Sequence, residues 1–408
     1  MTQVGIRRRP LPRQTQISQQ RRLLVMLVFS LGGFGIGTTE FVSMGLLNMI
    51  AKDFAVTEDT AGHIISGYAL GVVIGAPVLA ALTGKIPRRR LLLFLMAAFS
   101  LGNGLTMLAH NYPTLLLARF IAGFPHGAYF SVAGLSAASM APKGERGRAL
   151  AFVGMGLSVS LVFGVPLAQG LGQALGWKAA YGVVTLIGII TVVSLWFLMP
   201  HMTEMKPTNP HTELGALGKP QVWLTVLMGT VGFGGMFAVY TYISWTMTER
   251  AGLPAELMPL VLTMYGIGSV VGNWLGGRLA DRDLEKGILL AFSLIAVALV
   301  GFYITSTHPI LGSINFGFIG LCGSALIPSL QIRLMEVAGK AQTLAAALNQ
   351  SALNLANAGG AALGGAVIAA GYSYSAPALA GAGLAILAMI MWVPAYLLRR
   401  QDILKNSR

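Results

Sequence analysis

Twelve apolar segments, each long enough to cross a bilayer, restrict what this chain can fold into. A spanning helix needs about 20 apolar residues, and the composition, 55% hydrophobic and only 10% charged over 408 residues, excludes a soluble globular protein. The sequence therefore predicts an all-α membrane protein of twelve helices in two six-helix bundles. The segments lie near residues 23–50, 59–82, 91–110, 114–140, 148–174, 178–199, 220–248, 256–280, 286–306, 310–336, 341–371 and 376–398.

A polar stretch rich in Pro, Thr, Glu and His separates the first six segments from the last six. The first apolar run is too long for the core of a signal peptide, and no small-residue cleavage site follows it, so it is retained as a span. The predicted parts are a basic tail (1–21), a first bundle (22–199), a linker (200–219), a second bundle (220–398) and a second tail (399–408).

The Lys and Arg residues lie almost entirely on one side of the predicted membrane. Of 28 cations, 24 lie in the two tails, the linker and four alternate turns, and only Lys52, Lys178 and Arg250 lie on the opposite side. Positive loops stay cytoplasmic, so both ends are predicted to be cytoplasmic. We call the cation-rich side the basic side. The net charge of +14 arises from short loops and not from one folded face, so it does not indicate nucleic-acid binding.

The two halves of the chain look like copies of each other. At a constant offset of 197 residues, small and basic residues recur around the end of the second span of each half. Parallel repeats of this kind underlie several transporter folds. The matched pairs are Gly71 with Gly268, Gly75 with Gly272, Leu82 with Leu279, and Lys85 with Arg282.

Glu40 is a carboxylate within the first apolar segment, roughly 26 Å along it at about 1.5 Å per residue. An acid at that depth is costly unless it faces a cavity or a partner, so it is a candidate functional residue. The glycines that precede it allow close helix approach. The alternative is that this helix is longer than the membrane and that Glu40 reaches the outer surface.

Arg119 and His126 lie in the fourth span, two helical turns apart and on the same face. A lone arginine in a membrane needs an acidic or carbonyl partner, and Glu40 is the only carboxylate deep in the first six spans. We therefore interpret Arg119 as the partner of Glu40, with His126 as a lesser candidate. The alternatives are that Arg119 reaches the surface and that His126 bonds a backbone carbonyl.

The turn after the eighth span reads Gly277-Arg278-Leu279-Ala280-Asp281-Arg282. This hexad resembles the loop motif of the major facilitator superfamily. The resemblance implies a conformational latch of Gly277, Arg278, Asp281 and Arg282, in which Asp281 accepts from a neighbouring helix N-terminus or an arginine. The equivalent turn of the first half departs from the motif, because Gly84 stands where the acid is expected. The alternative is a solvated positive turn.

The fifth span contains Gly164, Pro166 and Gly170, a variant of the superfamily's antiporter motif. Together with Gly37–Val42 and Phe124–Gly127, it resembles the twelve-helix drug:proton antiporter branch of bacterial drug and sugar efflux transporters. Proline removes a backbone hydrogen bond, so the helix can bend here. For the glycines, packing and gating remain equal alternatives.

A substrate cavity between the bundles is the remaining expectation. Amides on one face of the eleventh span could line it or could join helices, and aromatic side chains could line it or pack against lipid. The predicted lining residues are Phe41, Tyr129, Phe130, Phe237, Tyr240, Asn273, Gln350, Asn354 and Asn357.

The resemblance implies a monomeric secondary transporter of the bacterial inner membrane. It would export small, largely apolar, drug-like compounds such as antibiotics in exchange for protons, without a cofactor, a metal or nucleic acid. In this reading Glu40 is the proton site, Arg119 is its partner and tuning charge, and His126 is a lesser candidate. No phosphate loop or zinc signature is found in the sequence. One alternative is efflux of sugars or related polar metabolites. Another, of a different class, is an intramembrane enzyme that uses Glu40, His126 and Arg119.

Overall fold

A computed structural model describes residues 18–56, 58–142, 144–202, 210–254 and 257–406. In this part of the chain twelve helices are long and apolar enough to span a membrane, as the sequence predicted. The first tail up to residue 17, part of the linker and the last two residues lie outside the described residues. The helices are α1 (Gln19–Ser43), α2 (Thr60–Leu82), α3 (Arg88–Met107), α4 (Tyr112–Met140), α5 (Arg146–Leu175), α6 (Trp177–Leu198), α7 (Pro220–Arg250), α8 (Met258–Arg282), α9 (Leu284–Thr305), α10 (Pro309–Ala338), α11 (Gln342–Ala369) and α12 (Ala376–Gln401).

The repeat of 197 residues is visible in helix packing. A Cβ atom on Gly71 of α2 would overlap the carbonyl oxygen of Phe120 in α4, and one on Gly268 of α8 would overlap that of Gly317 in α10. The contacted residues are themselves 197 positions apart. Gly75 against Phe124 and Gly272 against Leu321 repeat the relation one helical turn further along. Glycine at these positions therefore lets the two helices touch backbone to backbone.

Gly268→Ala should lower the stability of the protein by about 1–3 kcal/mol, because the added methyl group forces α8 and α10 apart. Gly383→Ala is the matched control, since a Cβ atom on this α12 glycine meets nothing within 4 Å. Thermal unfolding of the purified variants in detergent would measure both. Equal midpoints for the two variants would contradict the close approach at Gly268.

Two helices of the first half are interrupted. In α4 the segments Tyr112–Gly123 and His126–Met140 are separated at Phe124 and Pro125. In α5 a π-helical turn, Ser160–Gly164, precedes the segment that contains Pro166. Proline cannot donate the backbone hydrogen bond of a regular helix, which accounts for an irregularity near each proline.

The glycines predicted to bend α5 differ in their surroundings. A Cβ atom on Gly164 would overlap the Thr38 hydroxyl of α1, whereas one on Gly170 meets nothing within 4 Å. The contact with α1 therefore requires glycine at position 164 and leaves position 170 unconstrained. Whether Gly164, Pro166 and Gly170 serve gating stays a prediction.

The two bundles touch each other at the basic side. Gly147 at the start of α5 lies against Gly277 near the end of α8. Ala76 and Ala80 of α2 belong to the same apolar cluster as Leu344 of α11. Short linker helices, Pro210–Leu214 and Gly215–Gly218, lie beside this second contact and add Ala216 to its cluster. The division of the chain at residues 199, 219 and 398 stays a prediction.

Candidate functional site

A cavity lies between the two bundles and encloses about 980 Å³ of empty space, part of which is open to solvent. Four helices of the second half and three of the first half contribute to its wall. The lining residues include Glu40 and Phe41 of α1, His126 and Phe130 of α4, Ser158 and Leu161 of α5, Met236, Phe237 and Tyr240 of α7, Tyr265, Ser269 and Asn273 of α8, Ser324, Ile327 and Gln331 of α10, and Gln350, Leu353 and Asn354 of α11.

Glu40 is the one carboxylate among the residues that line this cavity. Its side chain is half-buried, and its neighbours Thr38, Thr39 and Val42 are buried in the first bundle. The turn of α1 before it is fixed by Gly37, because a Cβ atom there would overlap the Ser160 hydroxyl of α5. α1 therefore presents Glu40 to the cavity, while the residues around Glu40 on its other faces pack against protein.

Arg119 is fully buried beside Thr39, the residue before Glu40. Its guanidinium donates to the Thr39 hydroxyl (Nη1 to Oγ1, 2.8 Å) and to the Thr39 carbonyl oxygen (Nη2 to O, 3.1 Å). It also lies over the rings of Tyr68 and Tyr181, with Cζ 4.4 and 5.3 Å from their centroids. These hydrogen bonds and ring contacts compensate most of the cost of burying the Arg119 guanidinium away from water.

The direct ion pair between Arg119 and Glu40 is not formed among the residues the structure describes. Arg119 binds a hydroxyl and a carbonyl oxygen instead, and a carbonyl was the second kind of partner predicted for it. Its planar fork clamps the backbone of α1 one residue before the acid. Any influence of Arg119 on Glu40 therefore acts through the position of α1 and through space.

Tyr68 of α2 connects His126 with Arg119. Its hydroxyl lies 3.1 Å from His126 Nδ1, and its ring lies under the Arg119 guanidinium. Among the described residues, the other ring nitrogen of His126, Nε2, is buried and has no hydrogen-bond partner. His126 lines the cavity, whereas Arg119 does not.

The second half supplies an aromatic wall and several amides. The ring of Tyr240 lies 5.8 Å from that of Phe41 and 4.9 Å from that of Tyr265, which joins the two bundles across the cavity. The amide of Asn273 donates to the Ser158 hydroxyl of α5 (2.5 Å), and its buried Oδ1 has no hydrogen-bond partner in the part of the chain that the structure describes. The cavity wall is thus largely apolar, with a small number of polar side chains.

Tyr129 and Asn357 do not line the cavity, which corrects two predicted positions. His126 and Phe130 are four residues apart and share a face of α4, whereas Tyr129 points towards α1 and donates to the Phe29 carbonyl oxygen (2.9 Å). Asn357, about one helical turn beyond Asn354 on α11, is not among the lining residues. Helical phase explains the difference for Tyr129.

At the basic side, Asp281 of α8 accepts two backbone hydrogen bonds from the first turn of α5. Oδ1 accepts from the Gly147 N–H (2.6 Å) and Oδ2 from the Arg148 N–H (3.1 Å). Gly277 lies against Ala151 of α5, and Arg278 stacks on Trp274 with Cζ 3.4 Å from the ring centroid. The negative carboxylate at the positive end of α5 stabilises this contact between the bundles.

Asp283, two residues further on, serves a helix of its own bundle. Its Oδ1 accepts from the Lys286 N–H (3.1 Å) and caps α9. The same hydrogen bond lowers the pKa of the Asp283 carboxyl below its usual value. Arg282 is exposed at the end of α8.

Two bundles of membrane helices around a central cavity define a membrane transport protein. The model of the Major Facilitator Superfamily matches residues 29–318 and 227–407, and the chain belongs to this superfamily. Its members are transporters, so the chain is a transporter and not an enzyme, which sets aside the intramembrane-enzyme alternative. It binds a small-molecule substrate.

Similar proteins extend over almost the whole chain. The inner membrane transport protein YdhP of Escherichia coli (strain K12) is 40% identical over 375 residues, which cover 90% of this chain and 94% of that protein. A probable sugar efflux transporter of Helicobacter pylori (strain ATCC 700392 / 26695) is 30% identical over 353 residues, 86% of this chain and 90% of the relative. The chain is a multi-pass protein of the inner membrane.

Among solved structures, the proton:xylose symporter XylE bound to 6-bromo-6-deoxy-D-glucose has a similar fold. The TM-score is 0.75 at 14% identity, over 92% of this chain and 96% of the other. At this identity the likeness concerns the fold alone.

Several site residues were not predicted from the sequence as partners of the charged groups. Tyr68 and Tyr181 contact Arg119, and Ser158 contacts Asn273. Gln331 of α10 lines the cavity and carried no signal beyond being an amide in an apolar helix. These residues come from helices that are distant in sequence, so no spacing pattern marks them.

Proposed function

We propose that this transporter exports small, largely apolar compounds in exchange for protons by alternating access. The observation that supports the proposal is the position of Glu40, which is the one carboxylate on the wall of a mostly apolar cavity between the bundles. A carboxyl group in such a place can carry a proton or a negative charge, and each state costs a different free energy in an apolar environment. Glu40 is therefore suited to couple substrate binding to proton binding.

The proposed cycle assigns a role to each charged or titratable group. The bundles rock from one face to the other either with the proton on Glu40 or with substrate in the cavity. Substrate that enters from the cytoplasm displaces the proton of Glu40 to the cytoplasm. After the bundles rock, the substrate leaves at the outer face and Glu40 takes up a proton there. Arg119 holds α1 so that Glu40 keeps its place, and His126 lines the cavity with its buried Nε2 free of a hydrogen bond among the described residues.

Efflux of a sugar or a related polar metabolite is the second candidate function. Asn273, Gln331, Gln350 and Asn354 line the same cavity, and amides can bind hydroxyl groups. A relative at 30% identity is named a probable sugar efflux transporter. The same proton exchange at Glu40 would drive this transport.

A susceptibility and efflux panel separates the two candidates. Cells that express the protein would be exposed to antibiotics, dyes and sugars, and accumulation of each compound would be measured with and without an uncoupler. Uncoupler-sensitive export of apolar compounds supports the proposal. Export restricted to sugars supports the second candidate, and export that persists unchanged with the uncoupler contradicts proton coupling.

The lining residues give a matched test of substrate chemistry. Tyr240→Ala removes a ring packed between Phe41 and Tyr265, and it should lower export of apolar compounds about tenfold or more, since apolar contacts of this size are worth about 1–3 kcal/mol. Asn354→Leu keeps the side-chain size and removes an amide, so it should leave that export largely unchanged. The reverse order of effects would favour a polar substrate.

A further inference from the structure

A second carboxylate contacts a helix N-terminus at the basic side, and it comes from the linker. Glu213 lies in the short helix Pro210–Leu214 and is fully buried. Its Oε2 accepts from the backbone N–H of Leu344 at 2.9 Å. Leu344 is the third residue of α11, where the N–H has no partner within the helix. The contact therefore joins the linker to the first turn of a helix of the second half.

The repeat shows that this contact is equivalent to the one made by Asp281. Leu344 lies 197 residues after Gly147, whose N–H donates to Asp281. By the same offset, the residue equivalent to Asp281 is Gly84, which has no acidic group. Each half thus has a carboxylate on the corresponding N–H, although in the first half the turn itself cannot supply it.

We infer that Glu213 of the linker replaces the missing acid of the first-half turn and holds the two bundles together at the basic side. Glu213 is a positioning residue for alternating access, because its contact must break when the bundles separate there. The inference rests on the alternating access of the proposed function, and it does not depend on the substrate or on protons.

Three features place Glu213 between the bundles. The short linker helices pack beside α2 of the first half, and Ala216 shares an apolar cluster with Ala80 of α2 and Leu344 of α11. The positive charge of Arg88, at the start of α3, acts electrostatically on Glu213. A carboxylate that interacts with the cation of one bundle and with the helix N-terminus of the other connects the two.

Because Glu213 is buried, its carboxylate depends on the hydrogen bond from the Leu344 N–H. A buried carboxylate is costly unless it is paired or hydrogen-bonded, and Oε1 has no hydrogen-bond partner among the described residues. When α11 moves away from α2, Glu213 loses the Leu344 N–H and must be solvated instead. The closed basic side is therefore the state in which the linker carboxylate is satisfied.

Cysteine labelling at two positions tests this inference. The native Cys322 is buried and would be replaced by Ala. One reporter is Ala80→Cys, at a position buried between α2 and α11 at the basic side. The other is Val162→Cys. Val162 of α5 contacts Gly266 of α8, the other bundle, at a point nearer the opposite side. Each reporter would be labelled with a membrane-impermeant maleimide from its own side, in vesicles of known orientation.

Glu213→Ala should raise labelling at position 80 and lower it at position 162. A rise of about tenfold is expected, because one hydrogen bond to a charged group is enough to change a two-state ratio by that factor. Glu213→Gln should give a smaller change, since the amide keeps an acceptor and loses the charge. Asp281→Asn should act in the same direction as Glu213→Ala.

Asp283→Asn is the matched control, because Asp283 also accepts from a helix N-terminus but within its own bundle. It should leave both reporters unchanged. Unchanged labelling in Glu213→Ala, with a reciprocal change in Asp281→Asn, would overturn the inference while leaving alternating access intact. A rise at both positions in Glu213→Ala would also overturn it, since that pattern indicates general loosening. Failure of the proposed function would appear separately, as export that is insensitive to the uncoupler.

Discussion

Glu40→Gln is expected to abolish proton-driven export while leaving the protein folded and inserted in the membrane. The amide fills nearly the same volume as the carboxyl group, so the contacts of α1 are kept. It cannot release or take up a proton, so the proposed exchange has no carrier. We expect export to fall to the level of cells without the protein, measured as uncoupler-sensitive efflux at equal amounts of protein in the membrane.

Glu249→Gln provides the control for this prediction. Glu249 is an exposed acid near the end of α7 and does not line the cavity. The control should export at the wild-type rate. Full proton-driven export by Glu40→Gln would exclude Glu40 as the proton site, and loss of substrate binding together with export would instead assign Glu40 to recognition.

Arg119→Ala is expected to reduce export by about tenfold to a hundredfold. The substitution removes two charge-assisted hydrogen bonds to Thr39 and the stacking on Tyr68 and Tyr181, which together exceed the free energy of one neutral hydrogen bond. α1 is then no longer held one residue before Glu40. Arg119→Lys should retain part of the activity, because a lysine keeps the charge but cannot bind Thr39 through a planar fork.

Lys178→Ala is the control for the Arg119 variants. Lys178 also lies over an aromatic ring, that of Trp177, but it is exposed and lines no part of the cavity. Uncoupler-sensitive export should be unaffected in this variant. Wild-type export by Arg119→Ala at normal expression would show that the clamp on Thr39 has no part in transport.

The fold could be predicted from the sequence because its signals are local. Each membrane helix is marked by a continuous apolar run, and the described residues contain all twelve. The repeat was visible at Gly71 and Gly268 because close backbone contact requires glycine at both places. These helix–helix contacts recur 197 residues apart, so the spacing of glycines in the sequence reflects the equivalent packing of α2 on α4 and of α8 on α10.

The site could be predicted only in part, because its geometry depends on helix phase. Glu40 stood out as a single acid in an apolar run, and the structure places it at the cavity. Tyr129 and Phe130 are adjacent in sequence and their rings contact each other, yet only Phe130 lines the cavity, which a list of aromatic residues cannot separate. The sequence also could not show that Arg119 bonds to Thr39 and not to Glu40, because these neighbours differ by one position and about 100° around α1.

The linker shows the limit most clearly. Its composition predicts a polar connection, and nothing in its sequence indicates that Glu213 is buried against the first turn of α11. The sequence shows that Gly84 stands where an acid is expected. It does not show that Glu213 of the linker takes the place of that acid. Only the three-dimensional packing of the linker beside α2 and α11 brings the two observations together.

Proton movement in sealed liposomes tests proton-for-substrate exchange most directly. The purified protein would be reconstituted with a pH-sensitive dye inside, and a substrate found in the efflux panel would be added outside. Substrate that enters should drive protons out, so the interior should become alkaline in the wild type and stay unchanged with Glu40→Gln. Substrate entry without any change of internal pH, or with acidification as in symport, would contradict the proposed exchange.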